Sequence, residues 1–150
     1  MPTHAENRLV PYTCKQMFDL VADVERYPHF LPWCLACRIR QRPAPNQFVA
    51  DLMIGFKVFR EKFTSEVTLE EPGRIDVAYR NGPFRYLNNH WNFSPHPTGC
   101  IIDFYIDFEF HSKTLQTLIG KLFNEAVQRM VNAFEKRAGQ LYGPGLVAPA

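Results

Sequence analysis

The chain has 150 residues, 46% of them hydrophobic, and a formal net charge of +2, which is enough for one hydrophobic core and too little positive charge to argue for nucleic acid by charge alone. No apolar run approaches the roughly 18 to 20 residues that span a bilayer, and Met1 to Val10 lacks the apolar centre of a signal peptide. The expectation is therefore a soluble, cytoplasmic, single-domain protein over 1–150, with no partnership with DNA.

His4 to Pro11 reads as a short strand ended by Pro11. Thr13 then caps a helix whose apolar face is Met17, Phe18, Val21 and Ala22, closing over Val24 to Tyr27. Pro28 and Pro32 bracket His29-Phe30-Leu31 and leave room for one helical turn. From Cys34 to Arg42 a strand carries Arg38, Arg40 and Arg42 on one face, and Pro43, Pro45 and Asn46 make the turn after it. Phe48, Ala50, Leu52 and Ile54 share a face of the next strand, which Gly55 is expected to break.

In Val58 to Leu69, Phe59, Phe63, Val67 and Leu69 alternate with polar residues, and Glu61 and Ser65 fall on the apolar face. They either touch a ligand head group or leave for solvent at a bulge, since a polar group facing the interior is costly unless hydrogen bonded. Asn89 poses the same question beside Trp91. Glu71-Pro72-Gly73 turns the chain into a strand over Ile75, Val77 and Tyr79, and Leu87, Asn89, Trp91 and Phe93 begin the next. From Ile102, Phe104, Ile106, Phe108 and Phe110 alternate with Asp103, Asp107 and Glu109, the two-residue period of a half-buried strand.

Ser112 then caps a long helix with an apolar stripe from Leu115 through Leu118, Leu122, Val127 and Met130 to Ala138, and Gly139 and Gly143 supply stop signals. Gly143 to Ala150 reads as a frayed tail. Strands joined by short turns with helices near the two ends give an α+β class: a curved antiparallel sheet of about seven strands wrapped around the last helix, with two short helices after the first strand.

The four cysteines, Cys14, Cys34, Cys37 and Cys100, are expected to be buried or half-buried free thiols. Cys34 and Cys37 lack a second close ligand pair for zinc, and they open a strand rather than a helix. There is no glycine-rich phosphate loop, His-Glu-x-x-His or Gly-x-Ser-x-Gly, so the expectation is no metal, no cofactor and no catalytic residue.

Tyr12-Thr13, Met17 to Val24 and the string Tyr27-Pro28-His29-Phe30-Leu31-Pro32-Trp33-Cys34 resemble the opening signature of the coenzyme Q-binding protein family, within the START-like superfamily of helix-grip proteins. Gly82-Pro83-Phe84, Trp91-Asn92-Phe93 and Phe123-Asn124-Glu125-Ala126 agree with it. The resemblance implies a START-like, Bet v 1-like fold around a hydrophobic tunnel. It also implies binding of ubiquinone or a related polyprenyl lipid, as a non-enzymatic carrier supporting respiratory electron transport and quinone biosynthesis. The alternative it carries is a ribosome-association toxin that blocks subunit joining, and the superfamily also includes polyketide cyclases.

Candidate tunnel residues are Phe59, Phe63, Trp91, Phe93, Phe104, Phe108, Leu118, Leu122 and Met130, each equally suited to plain core. Glu61, Ser65 and Asn89 are candidate head-group contacts. Tyr27, Pro28, Phe30, Leu31, Pro32 and Trp33 form a candidate lid or membrane-touching corner, with packing of the short helix as the other reading. Arg38, Arg40 and Arg42 are a candidate stripe for anionic lipid or ribosomal RNA, or simply a solvated face. The expected partners are a lipid ligand, an inner membrane met peripherally or an enzyme of respiration or quinone synthesis, and the ribosome.

Overall fold

The computed structural model describes residues 3–31, 34–56 and 59–143, with the backbone alone at 56, 59, 121, 122 and 124. In chain order the elements are β1 (Thr3–Val10), α1 (Cys14–Ala22), a 3-10 turn (Val24–His29), β2 (Cys34–Ala44), β3 (Gln47–Phe56), β4 (Phe59–Glu70), β5 (Arg74–Asn81), β6 (Phe84–His96), β7 (Gly99–Phe110) and α2 (Lys113–Tyr142). The strands form one antiparallel sheet in the order β1-β7-β6-β5-β4-β3-β2. β1 and β2 are thus opposite edges, and α1 with the 3-10 turn carries the chain between them.

The alternation of each strand sets its faces. His4, Glu6, Arg8 and Val10 of β1 lie opposite Ile106, Phe104, Ile102 and Cys100 of β7, and Phe104 in turn lies opposite Trp91 of β6. This row faces α2. The sheet curves because its register is broken on β2, between Thr64 and Ser65, and between Phe84 and Tyr86, and each bulge adds local bend and twist. Gly99 has φ +159, and a Cβ there would sit 1.9 Å from the Val10 carbonyl oxygen, so the β6–β7 turn meets the end of β1 only with glycine.

Thr13 caps α1 through a capping box: its hydroxyl accepts from Gln16 N at 3.0 Å, and the Gln16 side chain accepts from Thr13 N at 2.9 Å. The helix stops at Ala22 rather than continuing over Val24 to Tyr27. Asp23 leaves helical geometry (φ −84, ψ 67) and the chain tightens into the 3-10 turn. Pro28 gives the physical reason, since in an α-helix its ring would clash with the carbonyl of Val24.

Ser112 caps α2, its hydroxyl accepting from Leu115 N at 3.2 Å. The helix passes through Gly139, expected to stop it, and ends where Gly143 takes φ +73. Gly55 likewise remains inside β3. Residues 144–150, the expected tail, lie outside the described residues. The buried stripe of α2, which includes Ile119, Phe123, Val127, Met130, Phe134 and Ala138, packs over the concave face of the sheet.

Candidate functional site: an apolar cavity under the long helix

Between the N-terminal half of α2 and the sheet lies a cavity of about 150 Å³ whose described lining residues are all apolar or glycine. The sheet contributes Ile54, Gly55 and Phe63, then Phe84 and Leu87, and then Phe104, Ile106, Phe108 and Phe110. The helix contributes Ile119, Phe123, Ala126, Val127 and Met130, a stretch about 16 Å long at 1.5 Å per residue. Aromatic edges fix the wall: the Phe84 ring meets Phe63 and Phe108 edge-on at 5.5 Å and stacks on Phe110 at 4.7 Å.

Of the residues singled out from sequence, Phe63, Phe104, Phe108 and Met130 line this cavity. Trp91 lies instead under the next turn of the helix, 5.3 Å from Phe134 and 4.5 Å from Phe104, and Phe93 backs onto Phe18 at 5.8 Å. Leu118 is half-buried outside the lining, and the side chains of Phe59 and Leu122 lie outside the described residues.

Leu87 follows the period of Asn89, Trp91 and Phe93, whereas Phe84 differs from it in parity and falls outside that period. The bulge before Tyr86 puts both on the inner face, Phe84 opposite Phe110 and Leu87 opposite Phe108. Ile106 and Phe110 share the β7 period, and Ile119, Phe123, Ala126 and Val127 share the helical one, so their signal was present.

None of the polar candidates is among the lining residues. Half-buried Glu61 lies opposite the lining residue Ile54 in the β3–β4 register. Ser65 is 1% exposed, between Ala50 and Tyr79, and its hydroxyl has no hydrogen-bond partner among the described residues. The Asn89 amide donates to the Tyr105 carbonyl at 2.9 Å. Toward β1 the inner face turns polar: Arg8 Nη1 meets Glu135 of α2 at 2.5 Å, and His4 sits between the rings of Phe104 and Phe123.

The corner after α1 packs on the far half of α2. Tyr27 and Phe30 meet the Phe134 ring edge-on at 5.5 and 5.3 Å, the Tyr27 hydroxyl donates to the Val21 carbonyl, and Leu31 is buried. Pro28 stands inside the 3-10 turn, while Pro32 and Trp33 lie outside the described residues.

The three arginines of β2 part company at its bulge. Arg38 lies opposite Asp51, Arg40 Nε approaches Asp51 at 3.2 Å, and the Arg42 guanidinium lies 5.5 Å from the Phe48 ring centre. The Thr64 hydroxyl donates to Asp51 at 2.6 Å and, with Arg40 and Lys62, holds that carboxyl below its usual range.

Burial pushes the Cys34 thiol up to about 11 and those of Cys37 and Cys100 to about 12, keeping them protonated and poorly nucleophilic at neutral pH. No helix among the described residues is long and apolar enough to cross a membrane.

A curved seven-stranded antiparallel sheet closed over one long C-terminal helix, with an apolar cavity between them, defines the START-like helix-grip class. Residues 10–135 match the profile of the polyketide cyclase / dehydrase and lipid transport family, and the chain belongs to that family.

Among its relatives, Ribosome association toxin RatA of Rickettsia prowazekii is 40% identical over 94% of this chain and 99% of its own length. Coenzyme Q-binding protein COQ10 homolog B, mitochondrial, of Xenopus laevis is 34% identical over 93% of this chain and 59% of its own length. Both names belong to the groups that the sequence signature resembles.

The solution structure of protein CC1736 from Caulobacter crescentus superposes with a TM-score of 0.79 at 35% identity, covering 95% of this chain and 99% of that one. A START superfamily protein from Mycobacterium smegmatis (TM-score 0.79, 21% identity, 93% and 98% coverage) shares the fold. So does the Zhui aromatase/cyclase from Streptomyces (TM-score 0.78, 12% identity, 97% and 99% coverage).

Proposed function

We propose that the protein holds the apolar chain of ubiquinone or a related polyprenyl lipid between its sheet and α2, as a non-catalytic cytoplasmic carrier that meets the inner membrane peripherally and serves respiratory electron transport and quinone biosynthesis. The observation that carries this reading is the cavity with no polar residue in its described lining. Such a lining offers a hydrocarbon tail burial worth about 25 cal/mol per Å² and gives quinone oxygens no donor, so the tail enters and the head group stays at the rim. Glu61, the register partner of the lining residue Ile54, is the candidate head-group contact on this reading.

An apolar cavity of about 150 Å³ stays dry and accepts one benzene-sized molecule. The chain's end therefore fits the cavity as it stands, and further isoprene units require α2 to move outward. Acid–base catalysis inside the cavity would need a titratable group within hydrogen-bonding reach of a substrate, and none of the described lining residues supplies one. The name of the Xenopus relative adds support for the quinone.

The test is native mass spectrometry of the purified protein, extraction of any bound lipid, and the same on Ala126→Phe, which fills the cavity from the helix side. A stoichiometric polyprenyl species in the wild type and none in the folded variant is the expected result. Equal retention by both would place the lipid elsewhere, and failure of the wild type to bind added ubiquinone would end the carrier reading.

A second reading, ribosome association, is favoured by the name of the Rickettsia relative at 40% identity. Cosedimentation with large ribosomal subunits, unchanged in Ala126→Phe, is its expected signature.

A further inference from the structure

On the solvent side of α2 there is a second concavity that belongs neither to the apolar cavity nor to the β2 arginines. His29 and Phe30 form one wall, and Arg129, Asn132, Lys136 and Arg137, with Ala133 and Gln140, form the other, around a cleft of about 430 Å³. The helix residues recur at three- and four-residue spacing, one continuous face. Glu125 partners Arg129 at 2.8 Å, but among the described residues neither Lys136 nor Arg137 has a carboxylate partner.

Arg137 is half-buried, its guanidinium 5.5 Å from the Phe30 ring centre and its buried Nε without a hydrogen-bond partner among the described residues. A guanidinium fixed by an aromatic face and lacking a counter-charge is prepared for an anion, and its planar fork matches phosphate oxygens. Asn132 and Gln140 bring amide donors to the same wall.

We propose that this cleft binds the phosphate of an anionic phospholipid headgroup and so docks the protein on a bilayer. Two observations favour a lipid surface over RNA. Arg137 occupies the Phe30 ring, so that ring is not offered for base stacking. Leu141, one turn beyond Arg137 on the same helix face, is 49% exposed and adds an apolar contact beside the cations. The proposal rests on the carrier reading for its purpose, because a carrier must reach a membrane. Vesicle binding needs no cavity ligand, however, so the two stand or fall separately.

The test is flotation of the full chain with vesicles of phosphatidylcholine alone and of phosphatidylcholine containing phosphatidylglycerol. Lys136→Gln with Arg137→Gln is compared with Arg38→Gln with Arg60→Gln, which removes the same charge on β2 and β4. Each cation near an anionic surface contributes about fivefold to partitioning. The cleft pair is expected to lose about thirtyfold on the anionic vesicles, with quinone content unchanged, and the β2–β4 pair less than twofold. Exposed Lys136→Gln alone, which leaves Arg137 on Phe30, is expected to lose about fivefold and serves if the double variant misfolds.

Equal losses in the two double variants, or equal binding to neutral vesicles, would overturn the site. So would binding of inorganic phosphate in the cleft with no binding to the anionic vesicles, which would make the occupant a small anion. Absence of vesicle binding, together with loss of ribosome cosedimentation in the cleft variant, would replace the lipid by RNA.

Discussion

Cys34, Cys37 and Cys100 make stability depend on alkaline pH. Their thiols ordinarily titrate near 9.0, and burial raises them to about 11, 12 and 12. Above pH 9 the unfolded chain releases protons that the folded chain still holds, so this contribution is intact below pH 9 and is lost as pH rises toward 11 and 12. For Cys34 the loss by pH 11 is on the order of 2 kcal/mol. Denaturant midpoints between pH 7 and 11 should therefore fall more steeply in the wild type than in Cys34→Ala, and parallel slopes would show that the thiol carries no such share.

Two glycines separate strain from propensity. Gly120 of α2 is exposed, and a Cβ added there would meet nothing within 4 Å, so Gly120→Ala should raise stability by about 1 kcal/mol. Gly99→Ala meets the Val10 carbonyl and should lower stability by on the order of 3 kcal/mol. Thermal melts of the two variants give the signs directly. Neither environment is legible in sequence, where both positions read simply as glycine.

Phe134 is where the elements join. Its ring touches Tyr27 and Phe30 of the corner and Trp91 of β6, at 5.5, 5.3 and 5.3 Å. Phe134→Ala should cost about 3 to 5 kcal/mol and loosen the 3-10 turn from the helix, read as faster amide exchange over Val24–His29. Exchange unchanged there would mean that the turn is held by β2 alone. The helix itself was legible, since Ser112 and the three- and four-residue spacing define it without reference to the sheet. β6 was legible only from Leu87 onward. Its opening contains a bulge, which breaks the period that sequence reading depends on, and Phe84 was lost with it.

For the whole molecule, the carrier reading makes stability depend on ligand. A lipid that binds only the folded state stabilises it by about 2.7 kcal/mol at a hundredfold excess over its dissociation constant. Delipidated wild type should thus melt higher on addition of a short-chain ubiquinone, and Ala126→Phe should not respond. An equal shift in both would locate the ligand outside the space that Ala126 borders.

What the sequence determined by itself was local and periodic: strands of period two, a capped helix of period 3.6, an α+β order of elements and a family signature before β2. Backbone geometry repeats those periods wherever it is regular, and burial on one face then writes them into the residue pattern. The tertiary structure decided what depends on register and on residues far apart in the chain. It alone puts Phe84 and Leu87 on one wall, sends Arg42 to Phe48 while Arg40 stays on Asp51, and closes a cationic cleft from Arg137 and the distant Phe30. Periodicity fixes which way a side chain faces along its own element, whereas the partner across the gap is fixed by bulges and packing angles that no local pattern encodes.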